Sequence, residues 1–314
     1  MPSPPRAAGR RISWERVPAS VRAAIESYLG ARVTAAATQA GGFSPGAAVR
    51  LRLADGGRAF VKAVSTELNA DSVALYRAEA GAMAGLEIGA LAPKLLDTYD
   101  DGQWVALVYE DIEGRHPALP WRDGELERVL AAIEDLSTCL ARSAWEGARP
   151  FSEINASLFG NWARLAAAPP DDLDPWLRRN VDRLAGMEPN WPPLVAGTAL
   201  LHTDIRSDNV LLTGDAVVFL DWAWTCLGAA WVDLLLFALT VNAEGGADVE
   251  RIVAAHPLMG GVDPDCIDAV VLGALGYWSG ISRTPEPPSL PGVRAYQRAY
   301  ADATLRWARR RLGR

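Results

Sequence analysis

The sequence predicts an α+β protein in which a β-rich N-terminal lobe precedes a mainly α-helical C-terminal lobe. The early part carries alternating strand patterns and turn signals, as in AVRLRLADGGRAFVKAV at residues 48–64, which is typical of an antiparallel hairpin. Amphipathic helical segments follow, beginning with DGELERVLAAIEDLSTCLARSA at residues 123–144. At 314 residues, the chain has room for two lobes or one large domain.

The predicted N-terminal lobe contains a mainly antiparallel sheet with one inserted helix. A first helix is expected before Gly30, a typical stop residue. Three strands are expected across residues 31–65, separated by a Gly-rich turn and a tight DGG turn. Helical periodicity returns at residues 72–87, and two more strands flank the turn at residues 100–102.

The predicted C-terminal lobe is helical except for two apolar, strand-like runs at residues 201–212 and 217–224. The chain ends in a helix whose basic last turn suits the helix dipole. The sequence changes character between residues 111 and 117. We therefore divide it into an N-terminal lobe, residues 1–112, which includes a tail and the first helix, and a C-terminal lobe, residues 113–314.

Composition narrows the class of protein. The formal net charge is -7 and the pI is about 5.1, whereas binding to nucleic acid or to an anionic membrane needs a basic surface. We expect neither partner. The three cysteines are widely spaced and form no metal or redox motif. The N-terminus lacks the apolar segment of a signal peptide, and no apolar run is long enough to span a membrane, so we expect a cytoplasmic protein.

A charged loop separates the first strand-like run into two apolar halves. Asp204 and Asn209 lie five residues apart on this loop, and Asp221 ends the following run. Carboxylate and amide oxygens suit Mg²⁺, which is usually held by one or two carboxylates together with phosphate oxygens and water. Asn209 and Asp221 are the natural metal pair, which leaves Asp204 to accept a proton from an attacking hydroxyl. This set fits phosphoryl transfer.

Phosphoryl transfer also needs a loop over the phosphates and a cation, and the N-terminal lobe offers both. The segment GGFSPGAAV at residues 41–49 supplies a loop between two strands. Lys62 lies within an otherwise apolar strand, where an ammonium group is costly unless it is paired. Glu79, in the following helix, is the candidate partner.

These motifs together resemble the aminoglycoside phosphotransferase family, which shares the bilobal protein-kinase-like fold. The stretch LLHTDIRSDNVLL resembles its catalytic loop, and FLDWAW resembles its metal-binding motif. WVDLLLFAL resembles the segment that supports the catalytic loop through Asp233, and LVYEDIEG resembles the adenine-binding hinge. The resemblance runs from about Ala35 to Leu312.

The resemblance implies a role for each matched residue. Asp204 would be the catalytic base, and Asn209 and Asp221 would bind Mg²⁺. Lys62, oriented by Glu79, would contact the phosphates of ATP or GTP. The residues expected to bind the nucleotide are Gly41, Gly42, Phe43, Ser44, Lys62, Glu79, Glu110, Asp111 and Ile112.

The sequence departs from the family pattern at two positions. Thr203 stands where the family often has Gly, and Ala223 stands where it often has an acidic residue. Arg206, two residues after Asp204, is predicted to be a second catalytic residue, because a guanidinium can hold two phosphoryl oxygens at once. The alternative is that Arg206 pairs with Asp208 or another carboxylate and only shapes the loop.

Each motif also has a plain structural interpretation. The charged loop is then a hydrogen-bonded loop, the Lys62–Glu79 pair a surface ion pair, and the Gly-rich segment a simple hairpin turn. His202 is expected to be a structural hydrogen-bonding residue. Trp222 and Trp224, beside the metal motif, either pack internally or line a substrate pocket.

We therefore expect an ATP- or GTP-dependent, Mg²⁺-dependent kinase of a small hydroxylated molecule, acting as a monomer or homodimer. No peptide-docking segment follows Asp221, which argues against a protein substrate. The acidic balance favours a cationic acceptor, such as an aminoglycoside or another antibiotic, with resistance as the result. The alternatives are a metabolite kinase acting on choline, a sugar, an amino-acid alcohol such as homoserine, or a nucleoside, and a nucleotide-binding scaffold without activity.

Overall fold

The N-terminal part of the protein is built on a five-stranded antiparallel sheet. The computed structural model describes residues 11–39, 41–42, 44–287 and 290–313. The strand order is β1-β2-β3-β5-β4, and every neighbouring pair is antiparallel, as the sequence predicts. The strands are β1 (Val33–Thr38), β2 (Ala47–Leu53), β3 (Arg58–Ser65), β4 (Leu95–Asp100) and β5 (Trp104–Tyr109).

Two helices cover opposite faces of this sheet, α1 (Ala19–Leu29) and α2 (Thr66–Gly85). Helix α1 packs its buried residues against the face that carries Val49 and Val61. It ends at Gly30, which adopts the left-handed conformation (φ 73°) that glycine accepts without steric cost. Helix α2 packs against β3 and β5 on the other face. The inserted helix predicted from sequence is therefore confirmed.

The register of β2 and β3 decides which side chains point away from α1. Ala48 lies opposite Lys62, and Arg50 lies opposite Phe60. Because side chains alternate between the two faces of a strand, these four residues share the face on which α2 packs. Part of this face is left uncovered by α2 and forms one wall of the candidate site.

The C-terminal part, residues 123–312, is mainly helical and encloses the largest apolar core. Its helices are α3 (Asp123–Leu140), α4 (Phe151–Ile154), α5 (Asn161–Ala167), α6 (Pro175–Met187), α7 (Val232–Glu244), α8 (Val249–Ala255), α9 (Pro264–Ile281) and α10 (Val293–Leu312). Among the residues described, no helix is both long enough and apolar enough to cross a membrane.

Four short strands interrupt the helices, where the sequence predicts two apolar runs. They are β6 (Ala199–Leu201), β7 (Val210–Leu212), β8 (Val217–Phe219) and β9 (Cys226–Gly228). Strand β6 pairs with β9, and β7 pairs with β8. The prediction missed β9, because a three-residue strand that ends in Gly has too little alternation to detect. The two pairs hold the charged loop, residues 202–209, at both ends.

Candidate active site

A cavity of about 240 Å³ lies between the uncovered sheet face and the charged loop. Most of the residues singled out in the sequence line it, although they come from distant parts of the chain. From the sheet side and the connecting segment, its lining includes Gly41, Gly42, Ala48, Arg50, Phe60, Lys62, Glu79, Glu110, Asp111 and Ile112. From the helical side, it includes Ser207, Asp208, Asn209, Asp221, Trp222, Glu244 and Tyr296.

Lys62 is the centre of a charge cluster on the sheet side. Its ammonium group donates to Glu79 Oε2 at 2.6 Å and also contacts Asp221 Oδ1. The other oxygen of Glu79 accepts a hydrogen bond from the Tyr109 hydroxyl at 2.8 Å. Glu79 is only 2% exposed, so the pair is an internal one. The geometry thus excludes the plain surface ion pair that the sequence left open.

Opposing effects set the charge states in this cluster. Burial acts to lower the pKa of Lys62, but the carboxylates of Asp221 and Glu79 outweigh it and raise that pKa. Burial acts to raise the pKa of Asp221, but Lys62 outweighs it and holds that pKa below its usual value. Burial raises the pKa of Glu79, against the pull of Lys62. The cluster therefore keeps its ammonium group charged and Asp221 ionised.

Asn209 and Asp204 are joined directly on the charged loop. The Asn209 amide nitrogen donates to both the backbone oxygen and the Oδ2 atom of Asp204, each at 2.9 Å. Burial raises the pKa of Asp204 to about 6, which brings this carboxyl near the range useful to a general base at neutral pH.

The donor set in the cavity fits Mg²⁺. Because the Asn209 nitrogen is engaged by Asp204, the amide oxygen is the atom left to face a cation. Asp221 lines the same cavity and supplies carboxylate oxygen. No group of three His, Cys, Asp or Glu side chains within the described ranges forms a metal cage. The arrangement therefore suits an ion that takes its remaining ligands from phosphate and water.

Arg206 is held by two carboxylates. Its guanidinium donates to both oxygens of Asp208, at 3.0 and 3.2 Å, and lies 3.3 Å from Asp204 Oδ1. This geometry favours the alternative in which Arg206 shapes the loop. Its charge also stabilises the ionised form of Asp204, although burial has the larger effect on the pKa of that residue.

The backbone of the charged loop is fixed by Asp233 at the start of α7. Asp233 accepts the backbone N–H groups of His202, at 2.8 Å, and Thr203, at 2.7 Å. His202 is fully buried, its ring lies 2.9 Å from the Leu220 carbonyl oxygen, and burial lowers its pKa to about 4. A neutral, buried ring of this kind has the structural role expected from the sequence.

Thr203 and Asp221 both have a positive φ, at 62° and 63°. The left-handed region is sterically unfavourable for residues other than Gly, and especially so for a β-branched residue such as Thr. This explains physically why glycine suits position 203. Thr203 keeps a compensating contact, since its hydroxyl donates to the Trp224 carbonyl oxygen at 2.9 Å.

The segment that follows β5 forms the far end of the cavity. In the part of the chain that the structure describes, no backbone hydrogen bond uses the Glu110 carbonyl oxygen or the Ile112 N–H. The Asp111 side chain is engaged in ion pairs: it is 3% exposed and pairs with Arg50 and Arg58. An acceptor and a donor are thus available from backbone groups, while Asp111 anchors the segment to the sheet.

The Gly-rich segment is only partly brought to the cavity. Gly41 and Gly42 line it, both with positive φ, and Arg11 donates twice to the Gly41 carbonyl oxygen, at 3.0 and 2.8 Å. Ser44 is not among the lining residues; its hydroxyl accepts a hydrogen bond from Tyr76 instead. Phe43 lies outside the described residues.

Several residues that line the cavity were not predicted from the sequence. Phe60 precedes Lys62 by two residues, so strand alternation could have identified it. Arg11, Arg50 and Glu244 carried no such signal, because only the tertiary fold brings them to the cavity. Trp222 is buried and donates to the Phe219 carbonyl oxygen at 3.0 Å.

A known protein family matches most of the chain. The sequence profile of the phosphotransferase enzyme family (APH) matches residues 40–264, more than two thirds of the chain. No curated protein sequence matches the chain.

Solved structures share the fold at low sequence identity. One is an aminoglycoside phosphotransferase, APH(4)-Ia, in complex with ADP and hygromycin B, with 15% identity, a TM-score of 0.58, and coverage of 91% of this chain and 98% of that chain. Another is choline kinase LicA from Streptococcus pneumoniae, with 16% identity, a TM-score of 0.60 and the same coverage. A third is an amicoumacin kinase bound to AMP-PNP, with 12% identity, a TM-score of 0.54, and coverage of 86% and 88%.

The extent of the profile match decides the family, and the structural neighbours confirm the predicted kinase-like α+β fold. The chain therefore belongs to the phosphotransferase enzyme family.

Proposed function

We propose that the protein transfers the γ-phosphoryl group of ATP or GTP to a hydroxyl group of a small molecule, with Mg²⁺ as the metal ion. One observation carries the proposal: Lys62 with Glu79, Asp204 with Asn209, and Asp221 line or adjoin one cavity although they come from two parts of the chain. Each part supplies what the other lacks.

On the nucleotide side, we propose that the segment at residues 110–112 binds the nucleobase and that Lys62 binds the phosphates. The Glu110 carbonyl oxygen and the Ile112 N–H offer the acceptor and donor that a purine edge needs. Phe60 lies between them and Lys62 on the sheet face, where its ring can pack against the base. Gly41 and Gly42 allow the backbone to approach the phosphates closely.

At the reacting end, Asn209 and Asp221 would hold Mg²⁺, which supplies charge neutralisation at the phosphates when bound. Asp204 accepts the proton of the acceptor hydroxyl and orients it for in-line attack. Arg206 holds Asp204 and Asp208 in place. We therefore give it the role of a loop brace, in preference to direct contact with the transferring phosphoryl group.

The charge balance of the helical side supports a cationic acceptor. Asp204 and Asp208 pair with the guanidinium of Arg206, and Glu244 interacts with it electrostatically, so carboxyl groups are in excess over cations in this partly buried site. An acceptor that carries an amine, such as a basic antibiotic, would offset this excess. Resistance to such an antibiotic is the biological role that we propose, in a cytoplasm that keeps the three cysteines reduced.

We further propose that the sheet and helical parts act as two lobes that meet near residue 112. The connecting segment supports this division, since Asp111 ties it to β2 and β3 just before the helical part begins.

An acceptor panel tests the proposed function. Release of ADP or GDP would be followed with hygromycin B, choline, homoserine, a neutral sugar and a nucleoside, each with and without Mg²⁺. We expect Mg²⁺-dependent release that rises with hygromycin B, the antibiotic of the panel. Release that rises only with choline, homoserine, the sugar or the nucleoside would instead identify a metabolite kinase. Nucleotide binding without turnover for any acceptor would overturn the proposal and leave a scaffold.

A further inference from the structure

Glu244, the last residue of α7, is a buried carboxylate that takes no part in the proton transfer or the metal binding proposed above. It is 5% exposed and lines the cavity. Three donors converge on it. Trp121 Nε1 donates to Oε2 at 2.7 Å, and the Ser207 hydroxyl donates to Oε1 at 2.6 Å. The Tyr300 hydroxyl lies 3.4 Å from the same Oε1 atom.

These three donors come from different parts of the fold. Trp121 precedes α3 and Tyr300 lies on α10, and both are almost fully buried. Ser207 belongs to the charged loop and begins the short 3₁₀ turn Ser207–Asn209. Glu244 therefore joins one residue of the loop to two residues of the core.

The position of Ser207 makes this link relevant to the reaction. It lies between Arg206 and Asp208, whose side chains pair with each other, and its turn ends at Asn209. The positive charge of Arg206 also favours the ionised form of Glu244, whereas the charge of Asp208 disfavours it. A shift of about 1 Å in such a turn can cost about 10²-fold in rate.

We propose that Glu244 is a positioning residue for the catalytic loop: by holding Ser207 against Trp121 and Tyr300, it sets the orientation of the Ser207–Asn209 turn. The proposal rests on the proposed function of the site. We expect Glu244 to affect the rate of phosphoryl transfer and not the affinity for nucleotide, because it lies on the helical side, away from the segment assigned to the nucleobase.

A matched pair of glutamates provides the test. Glu250 also accepts a tryptophan N–H, from Trp307 at 2.6 Å, but contacts no residue of the charged loop. We would compare Glu244→Gln, Ser207→Ala, their double variant and Glu250→Gln. We expect Glu244→Gln and Ser207→Ala each to lower kcat by about 10- to 10²-fold, with KM for nucleotide nearly unchanged. The kcat of the double variant should be little lower than that of the less active single variant, since the effects of coupled residues are not additive.

Hydrogen–deuterium exchange provides a readout that is independent of turnover. Exchange in residues 202–210 should become faster in Glu244→Gln and Ser207→Ala and stay unchanged in Glu250→Gln. If Glu244→Gln and Ser207→Ala both show the exchange rates and the kcat of the wild-type protein, the positioning role is overturned. If the wild-type protein phosphorylates no acceptor, the proposed function fails, whereas the exchange measurement still decides whether Glu244 orders the loop.

Discussion

The two sides of the cavity each contain a buried glutamate, and the two glutamates are stabilised in different ways. Glu79, on the sheet side, is 2% exposed and is bound to the ammonium group of Lys62. Glu244, on the helical side, is 5% exposed, and its hydrogen-bond donors are an indole and two hydroxyl groups. One carboxylate has a full counter-charge, and the other has neutral dipoles.

The difference follows from what each side has to hold. In the proposed function, the sheet side keeps Lys62 charged for contact with the phosphates, and a buried lysine stays charged only beside carboxylates. The helical side keeps a loop in one conformation, which hydrogen bonds can do without a cation. Burial accordingly raises the pKa of Glu244 to about 7. A buried carboxylate therefore marks a counter-ion in one place and a structural anchor in the other.

The largest expected effect comes from removing Asp221, the carboxylate that contacts Lys62 and that we propose as a metal ligand. Asp221→Ala should abolish Mg²⁺-dependent nucleotide binding, because one of the two proposed protein ligands is lost. Titration of nucleotide with and without Mg²⁺ measures this. Asp215→Ala, which removes an exposed carboxylate in the β7–β8 turn, is the control. Identical Mg²⁺ dependence in both variants would remove Asp221 from the metal site.

Removing the cation of the sheet side tests whether Glu79 depends on it. Lys62→Met should lower the free energy of unfolding by about 3–5 kcal/mol, because it leaves a buried carboxylate without its partner. Arg77→Met breaks the exposed pair with Asp100, where both side chains are over 40% exposed, and should leave the free energy of unfolding nearly unchanged. Chemical denaturation compares them. Equal losses would mean that Glu79 is stabilised as Glu244 is, by neutral donors.

The helical side should respond to pH in the opposite sense to a salt bridge. The folded-state pKa of Glu244, about 7, lies above its ordinary value of 4.5. Its contribution to stability is therefore fully present below about pH 4.5 and is lost as pH rises through 7. Glu244→Gln cannot titrate, so its stability relative to wild type should increase between pH 5 and 8. Thermal melts across this range measure the trend, and a constant difference would contradict it.

The smallest expected effect concerns Thr203, which has a φ of 62°. Thr203→Gly removes the strain of the left-handed conformation, about 1–2 kcal/mol, but loses a hydroxyl hydrogen bond and adds chain entropy. Thr203→Ala loses the bond and keeps a Cβ in that conformation. We expect Gly to be at least as stable as Ala at this position. If Thr203→Ala is more stable than Thr203→Gly, the left-handed conformation at position 203 carries no appreciable strain.

Much of the fold could be predicted because its signals are local. Strand alternation and the DGG turn located β2 and β3, and Gly30 marked the end of α1. Strand β9 escaped, since Cys226–Gly228 becomes a strand only by pairing with β6. Short strands of this kind are stabilised by tertiary contacts that a single sequence does not display.

The site divides in the same way. Asp204, Asn209 and Asp221 could be predicted as candidates from their spacing, and Lys62 from its cost in an apolar strand. Glu79 followed, because a buried cation requires a partner. Arg206 illustrates the limit, since one sequence offers it either a phosphate or Asp208. Glu244, an acidic residue at a helix end, had no pattern to reveal that Trp121 and Ser207 would meet it.

Product analysis with the Asp204→Asn variant decides whether this carboxylate acts as the general base of phosphoryl transfer. Mass spectrometry would follow the phosphate ester of the best acceptor from the panel, alongside nucleotide binding. We predict that wild-type protein forms the ester. The variant should bind nucleotide with nearly unchanged affinity and form the ester about 10²–10⁴-fold more slowly, the range for loss of a general base. Ester formation by Asp204→Asn at close to the wild-type rate would contradict the account.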